Sequence, residues 1–454
     1  MKKRNEWLTK NLKREIKLDD RGIADFIQVQ RHFFKDMNNW IDEMMDPRNE
    51  SYCIYTQQDL ICLGILKNVC GIESMRQMNE KFNEEVCIDT LSFMSGDAYL
   101  SELPDFTTLN NYLERLSPAC LSDLRRKMVT GLIRSKAFHK NRFLGKYWLV
   151  IVDGTGLFHF RERHCENCLV TTVTDEEGKK HKNYYHKVLE AKIVLSDSIV
   201  ISLGTEFIEN ETEEASKQDC ENAAAKRLLE RLKQEYPRLK ICVLGDGLYG
   251  VEPLMKQCSG YGWKYVFSLK EGLQKNIVKD YNDLEADIVH ETKGLGAEKG
   301  TGRFYNGMEK ISGKTEIFNV FEYEYENLEK GKKKQVHFMW VTNLTVTERN
   351  LEEFIRTGRV RWKIENEGFN NQKNGIYKIE HLNSRDTNAM KNHYLLTQIA
   401  DILMQLYLAC NRLVKAIKQS IKNTSSRLLE SFRRQPITPE DVLHISRYTT
   451  VHLE

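Results

Sequence analysis

Three acidic residues, far apart along the chain, stand in surroundings that suit hard divalent cations. Asp153 follows the apolar run Tyr147-Trp148-Leu149-Val150-Ile151-Val152, and Asp246 follows Lys240-Ile241-Cys242-Val243-Leu244-Gly245. Glu365 lies in the basic segment Arg359-Val360-Arg361-Trp362-Lys363-Ile364-Glu365. Carboxylate oxygens are the ligands that Mg2+ or Mn2+ accepts. Two such ions held about 4 Å apart lower the pKa of an attacking water or hydroxyl and stabilise the departing oxygen in phosphoryl transfer. For either aspartate alone, Asp-Gly is an ordinary turn dipeptide. The three acids together, with the arginines, point to phosphodiester chemistry. Gly154 and Gly247, one beside each aspartate, leave room for a nucleic-acid backbone to approach. Arg361 and Glu365 are four apart and share a helix face. A guanidinium there could grip a phosphate one turn from a metal-bound carboxylate; a plain surface ion pair is the alternative.

A second set of residues suits a softer metal. Cys165, Cys168, His181 and His186 follow the spacing C-x2-C-x12-H-x4-H, which supplies two thiolates and two imidazoles to a zinc tetrahedron. His159 and His164 stand nearby as further ligands. The motif falls between two expected strands, where a recognition helix has no room. The two readings are a structural Zn2+ clip on an extended hairpin and a pair of free cysteines in a loop.

The elements that must position these groups follow from periodicity. The first 140 residues read as helical: Leu109, Tyr112, Leu113 and Leu116 form one helix face, with a threonine placed to cap its start. Ser117-Pro118 breaks that helix, and Leu121, Leu124, Met128 and Leu132 continue the period in a second. From Lys146 the texture becomes α/β. The runs ending at Asp153 and at Gly245 are continuous and β-branched, as strands buried on both faces require. Strands are expected over Lys187 to Leu195, Ile199 to Phe207 and Lys264 to Leu269, and a helix over Lys217 to Glu235 with Ala223, Ala224, Leu228, Leu229 and Leu232 inward. This order makes a mixed sheet flanked by helices, and strand ends of this kind hold ligands in open α/β sheets. Alternation at Ile317, Asn319, Phe321, Tyr323 and Tyr325 predicts a β-rich insertion, followed by a long helix from Glu348 to Gln372 and another from Thr387 to Lys422. The expected organisation is a helical, DNA-binding region over 1–140, the first part of a catalytic core over 141–270, the insertion over 271–336, the last core strand and third-acid helix over 337–385, and a helical region for oligomerisation or DNA contact over 386–454.

Around the third acid the chain resembles the DDE transposases of bacterial insertion sequences, in the branch with a β-strand insertion before that acid. The branch signature is Tyr-x2-Arg-x3-Glu-x6-Lys. Arg361 and Glu365 satisfy its Arg-x3-Glu part, and Arg361-Trp362-Lys363-Ile364-Glu365 is similar to its Arg-Trp-x-Ile-Glu core. Asp153-Gly154-Thr155 and Asp246-Gly247-Leu248-Tyr249 resemble the surroundings of its first two acids. Shifting the frame to Glu367 fills the flanking slots less well. The tyrosine slot holds Gly358, and the lysine slot holds Gln372 with Lys373 one place on; relatives hold the transposon-end backbone at these positions. The resemblance covers roughly residues 146 to 385. It implies a ribonuclease-H-like core, with Asp153, Asp246 and Glu365 as catalytic residues holding two Mg2+ or Mn2+ ions. It further implies cleavage at element ends, transfer of the freed 3′-OH into target DNA, and a homodimer handling two ends of double-stranded DNA. Arg359, Arg361, Trp362 and Lys373 are the expected DNA contacts, although Trp362 and Trp340 each suit a core position as well. A metal-dependent nuclease that does not join strands, and a catalytically silent DNA-binding protein, are the competing readings.

Composition agrees with a multidomain globular chain. There are 454 residues, 41% hydrophobic and 29% charged, with a formal net charge of +3. Charge is clustered at Lys2 to Arg4, Arg125 to Lys127, Lys136 to Arg142, Lys330 to Lys334, Arg356 to Lys363 and Arg427 to Arg434. Such patches suit either a DNA path or solvated helix faces. The apolar stretch from Tyr394 to Cys410 is interrupted by Gln398, Asp401 and Gln405, which reads as an amphipathic helix and excludes a bilayer span. The absence of an apolar run behind Lys2-Lys3-Arg4 predicts a protein that stays in the cytoplasm without membrane contact, and the resemblance further implies a bacterial, nucleoid-associated one. Most of the eleven cysteines read as buried small hydrophobes.

Overall fold

The computed structural model describes residues 10, 21–162, 165–212, 218–284, 289–293, 299–308, 317–329 and 332–443. The basic cluster Lys2 to Arg4, His164 and part of the Lys330 to Lys334 cluster lie outside them, as do the side chains of Asn366 and Glu367.

Seven helices open the described chain: α1 (Gly22–Phe33), α2 (Met37–Asp42), α3 (Gln57–Val69), α4 (Met75–Lys81), α5 (Glu85–Ser95), α6 (Phe106–Arg115) and α7 (Pro118–Arg134). Several of their starts are locally encoded. Thr56 and Asp59 form a reciprocal capping box on α3. Asp105, rather than a threonine, caps α6, accepting from the Thr107 backbone N–H, and Pro118 occupies the first turn of α7, where its missing N–H costs nothing.

The sheet follows. Strand β1 (Trp148–Phe160) pairs antiparallel with β3 (Lys180–Ser196), which pairs with β4 (Ile199–Ile208) on one stretch and with β2 (Leu169–Thr174) on another. On its other side β1 runs parallel to β5 (Ile241–Gly245), and β5 parallel to β6 (Lys264–Ser268). Helix α8 (Glu221–Glu235) joins β4 to β5, and α9 (Glu252–Gly260) joins β5 to β6. The order β4-β3-β1-β5-β6, three antiparallel strands followed by two parallel ones, is the expected ribonuclease-H-like arrangement. After α10 (Lys275–Asp283), a helix inside the stretch expected to be β, come β7 (Val289–Lys293), β8 (Lys299–Met308), β9 (Phe318–Glu329) and β10 (Lys332–Thr342). They form an antiparallel meander whose last strand pairs with β6, so the insertion extends the core sheet.

Three expectations change here. Strand β1 does not end at Asp153; it runs on as an antiparallel hairpin arm to Phe160, and only its parallel partner β5 stops. The long third-acid helix is interrupted: α11 (Leu351–Val360) gives way to a π-helical segment (Ile364–Phe369) and then α12 (Asn370–Asn374). The final helix is α13 (Thr387–Cys410), broken where the Asn411 side chain caps α14 (Arg412–Ile417); α15 (Ile421–Arg434) and α16 (Pro439–Leu443) follow. No helix among the described residues is long and apolar enough to cross a membrane.

Strand alternation divides β1 between two cores. Trp148, Val150 and Val152 join the larger one, built with α1, α3, α8 and α13, while Leu149 and Ile151 face the smaller one with Phe354, Ile355, Ile364 and Phe369. Helix α13 is buried nearly all round and packs on α1, α3, α6, α7 and β4. Its Gln398, Asp401 and Gln405, the polar residues that gave the stretch its amphipathic reading, point inward. Gln405 accepts from Val200 N–H and donates to Val200 C=O on the unpaired edge of β4, while Lys192 meets Gln398 and Asp401.

Candidate functional site

Asp153 and Asp246 each lie two residues beyond the paired positions Ile151 and Leu244 on adjacent parallel strands. Neighbouring strands are about 4.8 Å apart, so the shared register sets the two carboxyls side by side. Alternation places both on the face of Ile151 and Leu244, the face covered by α11 and the π-helical segment. Both are partly buried, with side chains 22% and 24% exposed. Burial pushes the Asp153 carboxyl up to about 6; Arg361 opposes this, and the charges of Asp246 and Glu221 add to it.

Each aspartate faces a cationic side chain. The Arg361 guanidinium lies 3.7 Å from Asp153 Oδ2, and Lys270 Nζ lies 3.1 Å from Asp246 Oδ2. Asp246 Oδ1 also accepts from the Leu248 backbone N–H at 2.8 Å. A crowded carboxylate pair that draws in positive charge from two directions has the donor set that hard divalent ions require. Glu365 is exposed, at the start of the π-helical segment that packs on β1 and β4. Among the described residues, no trio of carboxylates brings its oxygens within 4.8 Å of one another. The two aspartates are therefore neighbours, joined by Arg361 to the segment that carries Glu365, and the three acids do not form a closed cluster.

Glu221 and Tyr249 were not singled out from the sequence. Glu221 caps the site from the other sheet face, bound to Lys187 and to the Tyr249 hydroxyl at 2.7 Å. Tyr249 stands in the Asp-Gly-Leu-Tyr string, which was the available signal; Glu221, at the start of an ordinary amphipathic helix, left none. The glycines prove to serve the protein's own packing. A Cβ on Gly154 would collide with the Glu221 carboxylate, and one on Gly247 would press on the Lys270 stem.

The expected DNA-contact residues part company. Trp362 is 47% exposed, so its core reading is corrected, whereas Trp340 is buried. Arg361 lies over the Trp362 ring, and Arg359 lies over Tyr325 and Phe338. Lys373 pairs with Glu380 at 2.8 Å. Gln372, in the lysine slot, is fully buried and donates to Gln398 and Asp401. The tyrosine slot is closed: the Trp340 indole fills the space in front of Gly358, so no side chain fits there. The Arg125 to Lys127 cluster is spent internally, Arg125 on Ser202 and Thr205, Arg126 on Asp123, and Lys127 on Glu43.

The thiol and imidazole groups converge in part. Cys165 Sγ, Cys168 Sγ and His186 Nε2 form a triangle. His181 is absent from it and bonds Asp175 Oδ2 at 2.9 Å instead. Both histidines are on β3, and five residues of extended strand separate them by about 17 Å and turn them to opposite faces, which corrects the four-ligand expectation.

Residues 144–402, more than half of the chain, match the family model described as Transposase DDE domain. No curated protein matches the sequence. Among solved structures the chain is similar to a piggyBac transposase synaptic complex with hairpin DNA, determined by cryo-EM, with 12% identity and a TM-score of 0.42 over 94% of this chain and 85% of that one.

Proposed function

This chain belongs to the Transposase DDE domain family, and from that premise we propose that it cuts DNA at element ends and joins the freed 3′-OH to target DNA, using Asp153, Asp246 and Glu365. The observation that carries this reading is the placement of Asp153 and Asp246 at matching positions of paired parallel strands, with Arg361 reaching Asp153 from the segment that bears Glu365. Bound divalent cations would supply an activated water or 3′-hydroxyl and charge stabilisation at the leaving oxygen. Asp153 and Asp246 are the residues that would hold them, with Glu365, on the π-helical segment packed beside them, as the third ligand. Arg361 then exchanges its carboxylate partner for a DNA phosphate, which it can grip through two parallel hydrogen bonds. Trp362, exposed beside it, offers a ring on which a base stacks. Double-stranded DNA is the partner, and a homodimer the assembly that handles two ends.

A strand-transfer assay tests this, using a duplex that carries the terminal sequences flanking the gene, with Mg2+ or Mn2+. Joined product is expected from the wild-type chain. Asp153→Asn and Asp246→Asn should each lower cleavage by more than about a hundredfold, beyond the loss typical of groups that only orient metal ligands, while DNA binding persists. Cleavage without joining would assign a nuclease instead. Binding alone would assign a silent DNA-binding protein, and undiminished cleavage by the variants would remove the aspartates from the chemistry.

A further inference from the structure

We propose that Cys165, Cys168 and His186 form a zinc site that clips the connection between β1 and β2 onto β3. The two sulfurs are 3.5 Å apart, and His186 Nε2 lies 3.2 Å from Cys165 Sγ and 3.3 Å from Cys168 Sγ. In a zinc tetrahedron, with Zn–S near 2.3 Å and Zn–N near 2.0 Å, the ligand edges come to about 3.8 Å between sulfurs and about 3.5 Å between sulfur and nitrogen. Each observed edge is within about 0.4 Å of these values. One imidazole nitrogen faces both sulfurs, as a shared ion requires.

The surroundings fix this triangle. Cys168 and His186 are 3% and 5% exposed, and the Phe158 and Phe160 rings stand edge-on to the imidazole. Leu169, next to Cys168, pairs with Tyr185, next to His186, so the β2–β3 ladder sets the ligands opposite each other. The loop is also tied to the end of β4. The Asn210 side chain donates to Cys168 C=O at 2.9 Å, and the Asn167 side chain to Asn210 C=O at 3.1 Å. Thiolate and imidazole donors select zinc over the hard ions that carboxylates take, which separates this site from the acidic pair. Beyond His186, β3 passes Lys187, opposite Gly156, and reaches Glu190, opposite Asp153. The clip therefore anchors the hairpin whose other strand carries the first acid. Its role is structural, these three side chains supplying three of the four donors that a zinc tetrahedron takes.

Metal analysis of the full chain, purified under reducing conditions, tests the site without recourse to activity. About one zinc per chain is expected, lost in Cys165→Ser, Cys168→Ser and His186→Ala and retained in His181→Ala. Since these variants could fail to fold, Co2+ titration of chelator-treated wild-type protein supplies an independent readout: a thiolate-to-cobalt charge-transfer band that zinc abolishes. Wild-type protein without zinc and without that band overturns the proposal. So does zinc retained in all the variants, or recovery of Cys165 and Cys168 as a metal-free disulfide.

Discussion

At the residue scale, the first two acids were legible because buried β-branched runs end in Asp-Gly, and a parallel pair in register must then place both carboxyls together. Lys270, which pairs with Asp246, and Glu221, whose charge acts on Asp153, were not legible, since they arrive from other elements. Gly358 shows the limit most clearly. As a letter it is a departure from the family signature, whereas in the fold it is the space that the Trp340 indole occupies, in a stack with Phe321 and Phe338. Gly358→Ala gains helix propensity but forces a methyl against that ring. The expected net effect is destabilisation by about 1–3 kcal/mol, the usual cost of overpacking, seen as a lower urea midpoint with an unchanged slope. A midpoint that rises would mean that Trp340 yields without cost.

At the element scale, the period of α13 was legible and its facing was not. Gln398, Asp401 and Gln405 recur as a solvent stripe would, yet they meet Lys192 of β3, Gln372 of α12 and the edge of β4. Polar spacing says which side chains share a face, and only the tertiary partner decides whether that face is wet. Lys192 is fully buried with Asp401 3.7 Å away, so removing the carboxylate strands a buried charge. Asp401→Ala should cost about 3–5 kcal/mol, whereas Lys192→Met combined with Asp401→Leu should recover most of it. Thermal unfolding of the single and double variants decides, and equal losses in both would show that the pair is not coupled. The interruption of the third-acid helix was equally hidden. Its backbone signature is the Asn370 N–H bonding to Glu365 C=O, a π-type bond of the kind found at functional sites.

At the scale of the whole molecule, the order of the core elements β1, β3, β4, α8, β5, α9 and β6 could be read from the chain, because buried strands and amphipathic helices alternate as the ribonuclease-H-like layout demands, whereas β2 and α10 could not. The wrapping of the first helices around α13 could not, since it depends on contacts between residues hundreds of positions apart. One such contact makes stability respond to acid. His393 on α13 is buried against Asn110 of α6, and burial, then the charge of Lys67, depress its pKa to about 3. The unfolded chain binds a proton at this residue below about pH 6.5 while the folded chain does not. Its contribution is therefore constant above that pH and falls by about 1.4 kcal/mol per unit below it, towards pH 3. In His393→Gln that proton drops out, so the stability difference between variant and wild type should shift in the variant's favour as pH falls from 6.5. A difference independent of pH would show that His393 protonates in the fold.

The central claim is that acids remote in sequence share divalent cations. Crystals of the DNA-bound chain grown with Mn2+ should show anomalous density for two ions held among Asp153, Asp246 and Glu365. No such density, or Glu365 still turned to solvent with DNA and Mn2+ present, would contradict the account.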